Sequence, residues 1–315
     1  MIVTVTPNPS IDRTISVPSL RRGEVHRATE SRTDPGGKGV NVSRALAAQG
    51  SPTVAVLPAG GPEGPLREEL LDTAGVPRAS VSIAGNLRMN IAVVEPDGTT
   101  TKLNEPGPAL SDSESEALVA AVVERAVGAT WVVGCGSLPP GAPEDLYAVL
   151  VARARGLGVR VAVDSSGEPL RAAVPARPHL IKPNLEELEE LVGTALPTLR
   201  EVVAAAQELV RSGVETVVIS LGSDGAVLVN SSEVVHARAT VTDPLSTVGA
   251  GDCLLAGVLD ALSAGASATE ALVAGVRWGA AAVALPGSQV PTPADLDGIP
   301  VDLIADPDLD LTLAR

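Results

Sequence analysis

Short β-branched runs alternate with amphipathic stretches along most of the chain. IVTVT (2–6) stops at Pro7 and predicts a strand. KGVNVSRALAAQG (38–50) predicts a helix that closes on Gly50. TVAVL (53–57) reads as a strand and PLREELLDTAG (65–75) as a helix, again ended by glycine. The alternation continues with strands at 130–134, 159–164, 179–182 and 215–220. Helices are expected around 143–155, from Leu185, near 198–212, and at 251–264 and 267–285. Near-continuous Val/Ile runs flanked by helices indicate strands buried on both faces of a parallel sheet. Right-handed crossovers then give a three-layer α/β/α doubly wound core.

Two stretches break the alternation. Residues 12–34 and 86–106 are polar, extended and rich in β-branched residues, with a PDG turn at 96–98. They predict a small inserted β-sheet, a lid, leaving 1–11, 35–85 and 107–315 as the α/β core. Surface hairpins without a function are the plain alternative.

Composition narrows the function. Among 315 residues, 45% are hydrophobic, enough for a large core, but only 1% are aromatic. Stacking platforms for bases or sugars are therefore close to excluded. A net charge of −15 argues against nucleic acid, while a small anion held by a few local cations stays open. No apolar run is long enough for a bilayer span, and the N-terminus does not read as a signal peptide, so no membrane role is expected. Two cysteines, Cys135 and Cys253, form no framework and suit a reducing cytoplasm. Three scattered histidines without CxxC or HExxH argue against a metal cage. Of 23 basic residues, 20 are Arg and three are Lys: Lys38, Lys102 and Lys182. Where Arg is so favoured, a retained Lys marks a place for a compact ammonium.

Four motifs carry candidate chemistry. DPGGKGVNVSRAL (34–46) places glycines and Lys38 before a helix, a setting for an anionic or polar ligand. Its spacing fits neither a Walker loop nor a dinucleotide fingerprint. STVGAGDCLLAGVL (246–259) brings Gly249, Ala250 and Gly251 to a helix start, where converging amides form an anion hole beside Asp252. An ordinary first-turn Asp explains Asp252 equally well. IKPNLEELEEL (181–191) offers Asn184 and Glu187 either as a capping pair or to a hydrated magnesium ion. ISLGSDGAVLV (219–229) is a strand, a Gly-rich turn and a strand, along which a nucleotide can lie. The acidic tail, GIPVDLIADPDLDLTLAR, is assigned no role.

Taken together and in order, these motifs resemble the PfkB (ribokinase-like) family of sugar kinases. The resemblance rests on Asp12 after the first strand, GGKGVN (36–41), NxxE (184–187), SLGSDG (220–225) and TVGAGD (247–252), and covers about residues 1–290. TPNPSIDRT (6–14), GSLPPG (136–141), VDSSGEPL (163–170) and IKPN look like its phosphosugar branch. The resemblance implies a ribokinase-like fold with a β lid, ATP and Mg2+ as cofactors, and a phosphosugar substrate. TTKLNEPGP (100–108) tilts the expected acceptor to fructose 1-phosphate, with tagatose 6-phosphate and fructose 6-phosphate as alternatives. A sugar-phosphate sensor without catalysis is the reading from a different class.

The same resemblance implies the site. Asp252 would be the base, with the amides of Gly249, Ala250 and Gly251 as the anion hole. Asp12, Gly37 and Asn41 would meet the sugar hydroxyls. Arg88, Lys38 and Lys102 would hold the substrate phosphate. Lys182, Asn184, Ser220, Gly222, Gly225 and Thr247 would line the ATP site, and Glu187 with Asn184 would arrange magnesium through water. Leu285 and Cys253 depart from the usual pattern, the first on the adenine side, the second as packing beside the base. The resemblance also implies a homodimer through the lid, whose exposed strand edges favour pairing, with a monomer as the alternative.

Overall fold

The computed structural model of the chain describes residues 1–304 and 307–314. Ala305, Asp306 and Arg315, in the region expected to finish the core and its acidic tail, lie outside the described residues. The first half contains β1 (Ile2–Val5), β2 (Ser10–Ser16), β3 (Glu30–Gly36), α1 (Lys38–Ala48), β4 (Thr53–Ala59), α2 (Gly64–Thr73), β5 (Arg78–Ser82), β6 (Arg88–Val94) and β7 (Thr100–Asn104). It continues with α3 (Asp112–Ala126), β8 (Trp131–Cys135), α4 (Leu146–Gly156), β9 (Arg160–Asp164), α5 (Gly167–Ala173), β10 (Leu180–Ile181), α6 (Leu185–Val192) and α7 (Leu199–Ser212). The last part holds β11 (Thr216–Ser220), β12 (Ala226–Asn230), β13 (Val234–Ala239), α8 (Ala250–Ser263), α9 (Ala268–Val283), α10 (Pro293–Leu296) and β14 (Val301–Ile304).

Ten strands form one sheet in the order β14-β13-β12-β11-β10-β9-β8-β1-β4-β5. Pairing is parallel from β5 to β11 and antiparallel among β11, β12, β13 and β14. The sheet is thus parallel through the Val/Ile strands, as expected, and mixed at one edge. SLGSDG closes a tight hairpin between β11 and β12, which forces antiparallel pairing at that edge. β10 is only two residues long, because Pro183 has no N–H to continue the ladder.

Helices cover both faces. Val42, Ala45 and Leu46 of α1 pack with Leu255, Val258 and Leu259 of α8 and Ala271 and Leu272 of α9 on one side. Leu118 and Val122 of α3, Leu150 of α4, Leu188 of α6 and Val202 of α7 build the core of the other. This is the three-layer α/β/α arrangement of a ribokinase-like fold. Aliphatic side chains fill it almost alone, as the scarcity of rings requires. Among the described residues, no helix is long and apolar enough to cross a membrane.

A separate four-stranded sheet has the order β3-β2-β6-β7. Its strands extend two residues past each end of the 12–34 segment. Register pairs Asp12 with both Asp34 and Asn90, and Asn90 with Asn104, so these residues share one face. Asp34 lies 3.7 Å from Arg44 of α1, which turns this polar face toward the core. The opposite face carries Ile15, Met89, Ile91, Val93 and Leu103.

Candidate active site

Strand order reverses at β1, which has β4 on one side and β8 on the other. In open α/β sheets, ligands bind outside the carboxyl ends of the strands near such a switch. That edge holds Asp164 at the end of β9, Lys182 just after β10 and Ser220 at the end of β11. The N-termini of α1 and α8 converge there, because Asn41 and Asp252 are in direct contact.

Asp252 sits in the first turn of α8, and its residue surface is only 7% exposed. Gly249, the N-cap, has φ 78°, a left-handed conformation that a Cβ would strain. The helical ladder opens with Cys253 N–H donating to the Gly249 carbonyl at 2.9 Å. The amides of Gly251 and Asp252 therefore have no intrahelical acceptor and carry the positive end of the helix. Asn41 Nδ2 donates to Asp252 Oδ2 at 2.8 Å. The orientation of that amide is fixed from behind: Arg44, which can only donate, bonds Asn41 Oδ1 at 3.1 Å and the Ser288 carbonyl at 3.0 Å. Burial, reinforced by the nearby Asp164 carboxylate, raises the Asp252 carboxyl to about 7. Lys38, the Asn41 bond and Lys182 restrain the rise. Burial also pushes the neighbouring Cys253 thiol up to about 12, so it is an inert packing group.

Asp164 is fully buried and is the charge hub of the site. Lys38 Nζ donates to its Oδ1 at 2.8 Å, and Lys182 Nζ lies 3.3 Å from its Oδ2. Lys38 Nζ also donates to Glu187 Oε1 at 3.0 Å. Burial alone would lower the Lys38 ammonium, but Asp164 and Glu187 outweigh it and hold it above the ordinary range. Burial opposes ionisation of Asp164 as well, and the two ammoniums outweigh it, holding the carboxyl below its usual range. A Cβ built on Gly251 would stand 3.5 Å from Lys182 Nζ, so this ammonium faces the start of α8.

Asn184 and Glu187 form the capping box of α6. Asn184 Oδ1 accepts the Glu187 N–H at 2.7 Å, and Glu187 Oε2 accepts the Asn184 N–H at 2.9 Å. Both Glu187 oxygens thus have partners, one of them Lys38. The lone pairs that remain can accept from coordinated water, so the capping box leaves the pair able to hold a hydrated magnesium ion. Among the described residues, no group of three or more His, Cys, Asp or Glu has metal-site geometry.

On the small sheet, Asp12 Oδ1 accepts from Ser10 Oγ at 2.6 Å and Asn90 Nδ2 at 3.0 Å. A Cβ on Gly36 would fall 2.3 Å from the Asp12 carboxylate, so a side chain there would displace that carboxylate. Gly37 is the N-cap of α1, and its carbonyl accepts the Asn41 N–H at 2.9 Å. Thr6 Oγ1, Asn8 Oδ1, Arg88 Nε and Asn90 Oδ1 are buried with no hydrogen-bond partner among the described residues. Such a group of orphaned donors and acceptors suits a ligand rich in hydroxyls and oxyanions.

The three cations expected at one phosphate have different surroundings. Arg88 donates to the carbonyls of Asn8 (2.9 Å) and Glu105 (3.1 Å). Lys38 is drawn to the carboxylates of Asp164 and Glu187. Lys102 lies on exposed β7, paired with Ala92, two residues beyond Asn104. On the other side of the edge, Ser220 N–H donates to the Pro183 carbonyl at 3.2 Å, and Ser220 bridges Asn184. This joins the KPN turn to the turn carrying Gly222 and Gly225. Thr247 is exposed, and its carbonyl accepts the Ala250 N–H at 3.4 Å. Leu285 is half-buried just past α9.

Asp164, Asn90, Ser10 and Arg44 were not among the expected site residues. Asp164 left a signal: a carboxylate that ends the apolar run VRVAVD stands at the ligand-binding edge of the sheet. Asn90 and Ser10 left none, because their meeting depends on strand register.

Comparison with known proteins agrees with the geometry. The model of the pfkB family carbohydrate kinases matches residues 6–295. A 1-phosphofructokinase of Rhodobacter capsulatus is 38% identical over 297 residues, covering 94% of both chains. An ATP-dependent 6-phosphofructokinase isozyme 2 of Escherichia coli is 38% identical over 292 residues, covering 92% of this chain and 94% of that one. The solved phosphofructokinase-2 of Escherichia coli in complex with substrates and products superposes with a TM-score of 0.90 at 37% identity, covering 95% and 97%.

The raised Asp252 carboxyl has a consequence for stability. Its value is about 7 in the fold against an ordinary 3.8, so the folded protein holds a proton that the unfolded chain releases between these limits. The resulting stabilisation is complete below the lower value and lost as pH rises through the upper. Asp252→Asn escapes that loss. Its melting temperature should exceed that of the unsubstituted protein at about pH 8, with the difference shrinking toward about pH 5. A pH-independent difference in thermal unfolding would contradict the assignment.

Proposed function

The chain belongs to the pfkB family of carbohydrate kinases, and on that footing we propose that it transfers the γ-phosphoryl group of ATP to fructose 1-phosphate. The reaction is a phosphotransfer to a sugar hydroxyl, here giving fructose 1,6-bisphosphate and ADP. The observation that carries the kinase mechanism is Asp252 beside the open amides of α8, held by Asn41. The 1-phosphofructokinase name of the Rhodobacter relative supports the acceptor. Fructose 6-phosphate is the second reading, since the 6-phosphofructokinase relative is equally similar.

In this reading, Asp252 takes the proton of the C6 hydroxyl as its oxygen bonds to the γ-phosphorus. The bond from that phosphorus to the bridging oxygen breaks, and ADP leaves. A carboxyl near 7 is well matched to a general base at neutral pH. Asn41 holds Oδ2 and leaves Oδ1 for the hydroxyl. The amides of Gly249 and Gly251 meet the transferring oxygens, that of Ala250 joins them by leaving the Thr247 carbonyl, and Lys182 adds positive charge beside Gly251. Asp12, Gly37 and Asn41 bind sugar hydroxyls.

Arg88 offers its unpartnered Nε, and a modest swing of its fork, to the substrate phosphate. Lys38 reaches that phosphate only by leaving Glu187, and Lys102 only as the small sheet closes. ATP lies along Lys182, Asn184, Ser220, Gly222, Gly225 and Thr247. Magnesium, when bound, would neutralise β- and γ-phosphate oxygens. Glu187 and Asn184 would hold its water shell.

The small sheet acts as a lid over the sugar, and its apolar outer face is covered by a second copy of the chain. Leu103 on that face is 60% exposed in the single chain. Leu103→Glu should shift the protein toward a monomer in light scattering; an unchanged mass at equal concentration would remove this interface.

An ADP-release assay tests the substrate. Fructose 1-phosphate should give the highest kcat/KM among fructose 1-phosphate, fructose 6-phosphate, tagatose 6-phosphate and fructose. Preference for unphosphorylated fructose would overturn the phosphate roles of Arg88, Lys38 and Lys102 together. Asp252→Asn should lose on the order of 10²–10⁴ in kcat, and turnover close to normal would remove Asp252 as the base.

A further inference from the structure

The acidic C-terminal segment ends on the turn assigned to ATP. Asp224 lies in that turn, between Gly222 and Gly225, and is 7% exposed. Its backbone N–H donates to the Leu221 carbonyl at 3.1 Å. Its own carbonyl accepts from His236 Nε2 of buried β13 at 2.7 Å. Its carboxylate Oδ2 accepts the N–H of Ala314 at 2.9 Å. One residue of the turn is therefore tied to a sheet strand and to the end of the chain, 90 residues away.

That end is itself anchored. Leu313 is 6% exposed and enters the large core, with Leu309 and Leu311 packed against it. The N–H groups of Leu199 and Arg200 at the start of α7 donate to the carbonyls of Leu311 (3.0 Å) and Leu309 (2.8 Å). Leu313 N–H donates to the Pro197 carbonyl at 3.0 Å, and the Arg200 guanidinium meets Asp310 at 2.8 Å. Burial of Leu313 fixes the direction of the next amide, which is the one that Asp224 accepts.

We propose that residues 307–314 are a positioning element of the nucleotide site, acting through the Ala314–Asp224 hydrogen bond. The proposal rests on the assignment of ATP to the Gly222–Gly225 turn. The physical reason is preorganisation. A short turn has few contacts of its own, and any freedom it keeps must be lost when ATP binds. A hydrogen bond from a buried-anchored amide to a carboxylate removes that freedom beforehand. The bonds of the segment run to Asp224, Pro197 and the start of α7, so its effect falls on ATP affinity.

Ala314→Pro tests this, because proline removes the N–H and keeps the chain length. Ala314→Ser restores the N–H and serves as the conservative control. ATP affinity by calorimetry should fall about fivefold or more in Ala314→Pro, in keeping with loss of a hydrogen bond to a charged group. KM for fructose 1-phosphate and kcat should stay within about twofold, and Ala314→Ser should match the unsubstituted protein. Asp224→Ala, which removes the acceptor instead, should show the same split and covers the case of a poorly folding proline variant.

Hydrogen exchange at residues 220–225, with and without ATP, separates the two levels. If ATP does not slow exchange there in the unsubstituted protein, the turn assignment fails and takes the proposal with it. If ATP does protect the turn yet both variants bind ATP normally, the proposal alone is overturned. Equal losses of ATP and phosphosugar affinity with a lowered melting temperature also overturn it, since that is general destabilisation.

Discussion

A fully buried carboxylate with two lysines on it organises this molecule. Asp164 has no water to solvate its charge, and an isolated ion there would cost several kcal/mol. Lys38 and Lys182 supply the countercharge, one to each oxygen. Lys38 starts α1, Lys182 follows β10 and Asp164 ends β9, so one cluster fixes three elements at the ligand-binding edge. Lys38 reaches on to Glu187 and adds the first turn of α6. The same carboxylate repels Asp252 and helps hold it near 7. Two groups of one chemical type thus take opposite states: Asp164 stays ionised because cations touch it, while Asp252 titrates near neutrality because burial and Asp164 outweigh the cations.

A site built this way reconciles a net charge of −15 with chemistry on phosphates. The ammoniums are local and already placed, and the carboxylates that hold them compete with a ligand for them. Lys38 in particular is held by two carboxylates and must exchange at least one of them for a phosphate to act on substrate. The compact ammonium suits this exchange, because it has no planar fork to reorient. Two of the three lysines in an arginine-rich chain meet at Asp164, which explains their retention there. Lys102, exposed on β7, has no such partner in the hub.

The architecture was largely legible because parallel strands and their covering helices have strong, distinct periods. The Val/Ile runs and glycine stops located β1, β4, β8, β9 and β11 and the helices between them. The outer strands β5 and β14 were not legible, since they are held by pairing and not by a buried pattern of their own, and in buried β13 His236 interrupts an already short apolar run. α3 was missed although Ser111 and Glu114 form its capping box. The motif residues proved to be near neighbours where the chain bends at the sheet edge, as Asn41 with Asp252 and Lys182 with Gly251. The network behind them was not legible. Arg44 fixing the amide of Asn41, and Asn90 sharing Asp12 with Ser10, arise from register and helix packing that no single segment encodes. The NxxE spacing was compatible with a capping pair or a metal role. The structure realises the cap, which still leaves lone pairs on both side chains.

The central claim is that Asp164 adds to burial in raising the Asp252 carboxyl. The pH dependence of kcat/KM, which reports groups of the free enzyme, measures this most directly when compared between the unsubstituted protein and Asp164→Asn. The unsubstituted protein should lose activity as Asp252 is protonated below about 7. Asp164→Asn removes the repulsion and should move this acid limb to lower pH, whatever its effect on the maximal rate. An acid limb that stays in place, or moves to higher pH, would contradict the coupling on which the account of the site depends.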